Sequence, residues 1–329
     1  MTTLIGMIHQ PSFSQAEFAA KKKITRREKF LARMEEIIPW LRLLAVLEPF
    51  YPTGERGRPP VGRERMLRIY FLQQWYGLAD EALEDALYDS QALRGFARID
   101  LAAEGVPDAT TLLKFRRRLE TNDLCQGLFN AINADRSARG LMMRAGTLMD
   151  ATLIAAPCST KNKEKKRDPD MHQTRQGNQW HFGLKAHIGA DRDSQLVHTV
   201  VVTAAHVADI TKTAELLHGQ ETQVHADAGY TGVEKRPEIV ALDRPIDWQI
   251  ARKRGLIKKM EEGPEKEKLK ASEKAKASVR AFVEHPFHIL KNVFRHRKAR
   301  DRGLAKNGHQ LHILFGLANV LIGARQATV

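Results

Sequence analysis

Several features that would narrow the function of a chain are scarce or absent in this sequence. Only two cysteines occur, Cys125 and Cys158, and without metal-ligand spacing they form neither a zinc motif nor a disulfide framework. The first residues contain no apolar core of a secretory signal, so we expect a cytoplasmic protein. The most apolar run, 311–324, is too short to span a bilayer and predicts a buried helix, with no membrane partner.

Acidic residues are outnumbered, and the excess of positive charge is unevenly spread. The 329 residues include 53 Lys and Arg against 39 Asp and Glu, a net charge of +14. Residues 252–302 alone hold 17 basic and 7 acidic residues. Because a concentrated basic patch attracts polyanions, we expect nucleic acid to be the partner. The alternative is a basic surface that serves only solubility.

The pattern of apolar residues changes from helical to strand-like at about residue 140. Residues 1–140 predict an all-α region, with helices at about 62–77, 79–88 (capped by Asp80) and 121–139. The remainder predicts an α/β domain over 141–329 with a mixed sheet, whose antiparallel edge precedes parallel strands. Its predicted strands are 146–154, 180–189, 196–203, 223–226 and 247–251, its helix is 206–217, and its charged loops are 161–170 and 255–276.

A further helix is predicted directly after Pro107, with Asp108 or a following Thr as its cap. Apolar side chains at every third or fourth position face a core, while Lys114, Arg116 and Arg117 face outward. A short helix, a turn and a basic helix are typical of units that read DNA. An ordinary amphipathic helix with long cations on its wet side has the same pattern, so both interpretations stay open here.

Three acidic residues stand in unusual surroundings. Asp150 lies inside an otherwise apolar strand, and Asp227 ends a short strand just before a glycine-containing turn. Burying a lone carboxylate is costly, so each needs either a neighbouring arginine or a functional site at a strand end. Glu284 lies in the basic, mostly helical stretch Lys276–Arg302.

On a regular helix Glu284 would share one face with Arg280 and Lys291, which is also the pattern of a surface ladder of ion pairs. Two strand aspartates and a helix glutamate would together supply the oxygen ligands that Mg²⁺ or Mn²⁺ prefers. Two such ions can clamp the attacking and leaving oxygens in phosphoryl transfer. No nucleophilic side chain with a partner base is evident.

Four stretches of the chain resemble the DDE transposases of bacterial insertion sequences, of the insertion-sequence-five type. They are Gly146–Thr152, Gly177–Lys185, Ala226–Tyr230 and the stretch around Glu284. The signature of the family at its glutamate is Tyr, two residues, Arg, three residues, Glu, six residues, Lys. Arg280, Glu284 and Lys291 fit this spacing, whereas Ala277 stands at the Tyr position.

The resemblance implies an RNase H-like catalytic domain preceded by a helical region that binds the transposon ends. It implies Asp150, Asp227 and Glu284 as catalytic ligands of Mg²⁺ or Mn²⁺, with two ions in the site. Arg280 and Lys291 would hold DNA phosphates. The expected reaction is metal-dependent cleavage at the ends of an insertion sequence and strand transfer into target DNA. Expected partners are terminal inverted repeats, target DNA and a second copy in a homodimer, within the bacterial nucleoid.

Two other functions and one side chain stay open at this point. The same residues suit a catalytically silent, transposase-derived DNA-binding regulator, although three intact carboxylates argue against it. They also suit a metal-dependent nuclease that cuts without joining. Trp180 is predicted either to pack against its neighbours or to stack on a base.

Overall fold

The first part of the chain is helical, as predicted. The computed structural model describes residues 20–54, 59–142, 145–252, 255, 257 and 259–326. Its first helices are Arg26–Ile37, Trp40–Leu47, Arg63–Tyr76, Asp80–Asp89, Gln91–Ala97, Ala109–Thr121 and Leu124–Ala138. Helix Arg63–Tyr76 ends at Gly77, whose φ of 64° is the left-handed conformation that favours glycine after a helix.

The described residues form two compact units. One contains the residues up to Ile38 together with Phe50–Arg117, and the other contains Pro39–Pro49 and the residues from Arg118 on. The predicted boundary at 140/141 marks the change from helices to strands, whereas the compact units divide at 117/118. The difference arises because helix Leu124–Ala138 packs on helix Leu304–Gln326 within the second unit.

The first unit is organised around a buried ion network. The Arg68 side chain is only 1 % exposed, and its guanidinium pairs with Glu35 and Glu64 at 2.8 Å each. Phe71 and Trp75 on the same helix fill the apolar core beside it. Because an unpaired buried charge is strongly destabilising, this network ties the first helix of the unit to the central one.

The second unit is built on a six-stranded mixed sheet. Its strands are β1 (Gly146–Ala155), β2 (His172–Gln176), β3 (Gln179–Asp191), β4 (Val197–Ala204), β5 (Gln223–Ala226) and β6 (Asp247–Ile250). β3 pairs antiparallel with β1 on one side and with both β2 and β4 on the other. β5 and β6 then extend the sheet parallel to β1, in the order β3-β1-β5-β6. The predicted mixed sheet with an antiparallel edge before parallel strands is confirmed; β2, a polar strand, was not predicted.

Two buried asparagines fasten the sheet to its helices. Asn319 donates to the Val197 carbonyl at 2.7 Å and accepts from the Val197 N–H at 2.8 Å. Asn133 donates to the same carbonyl and accepts from Asn319. Helix Leu304–Gln326 is largely buried, as predicted for 311–324. Within the described residues, no helix combines the length and apolar character that crossing a membrane requires.

Two predictions about secondary structure are wrong. The segment 255–276 was predicted as a charged loop, but Pro264–Arg280 is a helix with proline at its first position and acidic side chains in its first turn. Its Lys266 pairs with Glu262 one turn before, at 2.6 Å. The predicted helix 206–217 is instead a 3₁₀ turn, Asp209–Lys212, followed by only one α-helical turn, Thr213–Leu216.

Candidate functional site

The pairing of two parallel strands brings Asp150 and Asp227 side by side. β1 and β5 are in register up to the pair Leu148 and His225. Two residues further along each strand lie Asp150 and Asp227. Residues in register on neighbouring parallel strands point to the same face and lie about 5 Å apart. The sheet therefore presents two carboxylates at one place, although 76 residues of chain lie between them.

The carboxylate of Asp227 is held by its own turn. Asp227 directly follows β5, and its Oδ1 accepts a hydrogen bond from the Gly229 N–H at 2.8 Å. A 3₁₀ turn, Ala228–Tyr230, follows directly. A Cβ at position 229 would lie 2.9 Å from Oδ1, closer than such atoms approach. A Cβ at this position would therefore displace the Asp227 carboxylate, and the turn fixes which way Asp227 points.

Asp150 is an acid in an unfavourable place for a negative charge. Its side chain is 17 % exposed, and burial raises its pKa from 3.8 to about 7. A hydrogen bond at 2.7 Å from the Ala151 N–H opposes this rise, as does Arg280. The negative charges of Asp227 and Glu284 add to the rise in pKa. Burial and the neighbouring negative charges thus both disfavour ionised Asp150, and a bound cation would favour it.

One segment of chain brings three further charged residues towards Asp150, namely Glu284, Arg280 and Lys291. Arg280 lies 3.7 Å from Asp150, from its Nη1 to the Oδ2. Burial lowers the pKa of Lys291, and the charges of Glu284 and Asp150 oppose this lowering. Glu284 itself is exposed. The other four residues predicted for the catalytic site and its phosphate contacts thus all lie within electrostatic reach of Asp150.

The segment that carries these three residues is not the regular helix that was predicted. After helix Pro264–Arg280 come a 3₁₀ turn, a short α-helix Glu284–His288 and a π-helical turn Ile289–Val293. Pro286 gives the physical reason, since proline lacks an N–H and clashes with the carbonyl four residues earlier. A helix restarted at Glu284 places Pro286 in its first turn, where it is tolerated. Arg280 thus ends one α-helix, Glu284 begins another and Lys291 lies in the π-helical turn, while the 3₁₀ turn Ala281–Val283 packs on β1.

The chemistry of the donors suits a hard divalent cation. Carboxylate oxygens of Asp150, Asp227 and Glu284 are ligands that Mg²⁺ and Mn²⁺ prefer. The raised pKa of Asp150 shows a site where a cation would relieve repulsion. As they are placed in the described part of the chain, no three acidic, His or Cys side chains are close enough to enclose one metal ion. A bound ion would thus have to draw Glu284 closer to the pair of aspartates.

The basic helix of the first unit is confirmed, but its cations differ in what they contact. Asp108 caps helix Ala109–Thr121 by accepting from the Thr111 N–H at 2.6 Å. Lys114 and Arg117 are exposed, as predicted. The Arg116 guanidinium instead binds both carboxylate oxygens of Asp80, at 2.7 and 2.9 Å.

The Arg116 pair corrects two predictions. Arg116 does not face outward into solvent as predicted, because its guanidinium is bound to the Asp80 carboxylate of the same unit; its contact with nucleic acid stays a prediction. Asp80 is not an N-cap either, because Ala79 occupies that position and Asp80 lies in the first turn of its helix. Sequence periodicity alone gave no sign of this pairing between residues 36 positions apart.

One group beside the site was missed in the sequence. Lys185 on β3 binds Asp209 at 2.9 Å, from its Nζ to the Oδ1. Asp209 and the two strand aspartates, together with burial, raise the pKa of Tyr230, which is itself buried. A lysine inside an alternating strand was the available signal, because such a residue needs a partner for its charge.

Comparison with known protein families bears on these residues. A family model described as Transposase DDE domain matches residues 142–320, more than half of the chain. A second, described as Transposase domain (DUF772), matches residues 18–118. No solved structure matches the chain. The first match covers the whole mixed sheet and is consistent with the RNase H-like fold class that was predicted.

Proposed function

The chain belongs to the DDE transposases of insertion sequences, and we propose that it cuts DNA at the ends of such an element and joins them to target DNA. The observation that carries this proposal is the adjacency of Asp150 and Asp227 on parallel strands, with the raised pKa of Asp150 beside them. The insertion-sequence-five type also stays part of the proposal. It rests on the spacing of Arg280, Glu284 and Lys291.

The proposed reaction has two in-line steps in which one bond to phosphorus replaces another. First, a water oxygen bonds to phosphorus at the element's end and the bond to the 3′ oxygen breaks, which frees a 3′-hydroxyl. That hydroxyl oxygen then bonds to a phosphorus of target DNA, and the bond to the target's own 3′ oxygen breaks. Because the number of phosphoester bonds is conserved in the second step, joining needs no external energy source.

We propose that the three carboxylates act together in both steps. DDE transposases depend on divalent metal ions. Asp150, Asp227 and Glu284 would hold two ions, Mg²⁺ or Mn²⁺, which when bound stabilise negative charge on the attacking and leaving oxygens. The turn at Gly229 orients the Asp227 carboxylate for this task. Asp150 gives up its proton at Oδ1 or Oδ2 when the positive charge arrives.

Positive side chains would position the DNA around the carboxylates. Arg280, 3.7 Å from Asp150, is placed to bind a phosphate next to the cleaved bond, and Lys291 lies near Glu284 and Asp150. Lys114 and Arg117 expose a second positive surface on the first unit, which we assign to recognition of the element's ends. Because an element has two ends, we propose that two copies of the chain act as a dimer.

The test is an assay of cleavage and joining with the purified chain. Its substrate is a duplex copying the inverted repeats that flank the coding sequence, and its target is a supercoiled plasmid. With Mg²⁺ we expect cut ends bearing 3′-hydroxyls and joined products. Asp227→Asn should abolish both and leave salt-sensitive DNA binding intact. Cutting without joined products would favour a nuclease, and binding without cutting by the unaltered chain would favour a silent regulator.

A further inference from the structure

A two-stranded hairpin, formed by β2 and the first residues of β3, carries side chains that do not pack into the core of the sheet. The edge hairpin, residues 172–183, consists of β2 and the start of β3, joined by a two-residue turn at Gly177 and Asn178. Its register places Trp180 opposite Arg175 and Phe182 opposite Gln173. Because side chains alternate along a strand, these four residues lie on one face.

This face combines exposed aromatic surface with positive charge. Trp180 is 67 % exposed, so its indole does not pack into a core, and stacking on a base is the alternative that stays a prediction. The Arg167 guanidinium lies 5.4 Å from the centre of the Phe182 ring, a cation–π contact. Arg175 stands beside Trp180 on the neighbouring strand. Exposed aromatic rings between cations are typical of surfaces that bind unpaired bases.

The loop 161–170, which leads to the hairpin, exposes positive charge. Its three acidic residues contact the end of the domain: Glu164 pairs with Arg302, while Asp168 and Asp170 accept from the N–H groups of Gly303 and Leu304. Its basic residues are exposed, namely Lys161, Lys163, Lys165, Lys166 and Arg167. The loop is thus fixed by its carboxylates and presents its cations to solvent.

We propose that the edge hairpin and this loop form a DNA-contacting surface, with Trp180 stacking on an unpaired base and the loop lysines holding phosphates. This inference rests on the proposed function, because DNA is the partner there. Its place relative to the catalytic site follows from the sheet. Asp150 pairs with Ile188, so Trp180 lies on the same face as Asp150, eight residues along β3.

The distance along the strand sets where on the DNA the contact falls. Eight residues of strand span about 26 Å. That length corresponds to roughly eight base pairs at 3.4 Å each. The stacked base is therefore expected within one helical turn of the cleaved phosphate.

The experiment compares Trp180→Ala, Trp180→Phe and the matched control Leu41→Ala, which removes another exposed apolar side chain of the same unit. We measure cleavage of the end duplex, permanganate oxidation of its thymines, and quenching of tryptophan fluorescence by a dT oligonucleotide of roughly 20 nucleotides. With the unaltered chain bound, permanganate should oxidise thymines in one region within about one helical turn of the cut. The oligonucleotide should quench the tryptophan fluorescence of this chain.

Trp180→Ala should bind the oligonucleotide about tenfold or more weakly and lose the oxidised region. Trp180→Phe should keep cleavage but lose most of the quenching. If Trp180→Ala behaves like Leu41→Ala while the unaltered chain cleaves, this inference is wrong and the proposed function stands. If the unaltered chain does not cleave, the proposed function fails instead. Loss of self-association alone in Trp180→Ala would assign the hairpin to contact between copies and overturn the DNA assignment.

A different set of contacts supports a second inference, on the opposite face of the sheet. Besides Asp209, the Lys185 ammonium donates to the Val207 carbonyl at 2.9 Å. His187, fully buried, lies 3.5 Å from the same Asp209 carboxylate and hydrogen-bonds Thr203 at 2.8 Å. One carboxylate thus joins two side chains of β3 to the 3₁₀ turn Asp209–Lys212.

Asp209 is also the first residue of a turn that packs against the turn holding Asp227. The 3₁₀ turn Asp209–Lys212 packs against the turn Ala228–Tyr230, which holds the Asp227 carboxylate. The hydroxyl oxygen of Tyr230 is buried and has no hydrogen-bond partner among the described residues. The position of this second turn therefore depends on packing against the first rather than on bonds of its own.

We infer that Lys185 and Asp209 are positioning residues, which fix the turn Asp209–Lys212 and through it the direction of Asp227. Neither residue needs to touch DNA for this role. This inference rests on the proposed function only because the reaction expected to slow down is the proposed DNA cleavage.

The test uses Asp209→Asn, Lys185→Met and, as matched control, Lys212→Met, which breaks an exposed ion pair with Glu215 in the same region. We expect a 10- to 100-fold fall in kcat for the first two variants, with KM for the end duplex unchanged. Mn²⁺ should raise their Tm only at higher concentration than in the unaltered chain. Two results would overturn this role. One is that Mn²⁺ raises the Tm of the two variants at the same concentration as that of Lys212→Met. The other is that the fall in kcat disappears at a lower temperature, at which all variants are folded to the same extent.

Discussion

Replacing the carboxyl of Asp150 by an amide should stabilise the metal-free chain, by an amount that depends on pH. The pKa of Asp150 is about 7 in the folded chain, against an ordinary value of 3.8. The unfolded chain therefore releases this proton at lower pH than the folded chain does. Stability from this group is fully present below pH 3.8 and is lost as pH rises through about 7.

The magnitude follows from the difference between the two pKa values. At about 1.36 kcal/mol per pKa unit, the ionised group costs the folded chain about 4 kcal/mol above pH 7. At pH 5 the cost is only about 2 kcal/mol, because the folded form keeps its proton there. Asp150→Asn should thus be more stable than the unaltered chain at pH 8, and its advantage should shrink by about 2 to 3 kcal/mol at pH 5.

The assay is urea unfolding at pH 5 and pH 8 with a chelator present. The attraction between Arg280 and the ionised carboxylate opposes the rise in pKa and is therefore already contained in the pKa of about 7. Asp243→Asn, at an exposed position, serves as the control and should show no comparable change. Adding Mg²⁺ at pH 8 should stabilise the unaltered chain but not Asp150→Asn. An advantage of Asp150→Asn that is equal at the two pH values would refute the reasoning.

Three further variants probe other parts of the molecule. Lys291→Ala should weaken binding to the end duplex and reduce the slope of its salt dependence by about one, so an unchanged slope would remove Lys291 from the phosphate contacts. Gly229→Ala should slow cleavage roughly tenfold or more without weakening DNA binding, because its Cβ displaces the Asp227 carboxylate; normal cleavage would show that the turn yields without harm. Arg116→Ala should cost the first unit about 1–3 kcal/mol of unfolding free energy, because Asp80 loses its partner, whereas Lys114→Ala should weaken DNA binding at unchanged stability. Equal stability of these last two variants would contradict the structural role of Arg116.

The predictable parts of the fold are those in which apolar residues repeat with a clear period. β3 and β4 were predicted from alternation, β1 from an apolar, β-branched run, and the buried helix Leu304–Gln326 from its apolar run. β2 was missed because all five of its side chains are polar, since it lies outside the core at the edge of β3. Helix Pro264–Arg280 was missed because local ion pairs such as Lys266 with Glu262, rather than an apolar face, distinguish it.

The acidic residues could be singled out individually, but their arrangement could not be derived from spacing. The adjacency of Asp150 and Asp227 depends on which strands pair and in what register. The change from α-helix to 3₁₀ and π-helical turns between Arg280 and Lys291 depends on how Pro286 alters the helical hydrogen bonds. The pairs Arg116 with Asp80 and Lys185 with Asp209 join residues distant along the chain. Such contacts are settled by packing, which no local pattern records.

The asparagine pair that ties β4 to its helices has a consequence for how the molecule is made. Val197 lies near the middle of the chain, and Asn319, which satisfies both its amide and its carbonyl, is translated more than a hundred residues later. Until that residue leaves the ribosome, the edge of β4 keeps two backbone groups without their final partner. An incompletely synthesised chain should therefore be unable to complete its sheet, and a catalytic centre would arise only once translation has passed residue 319.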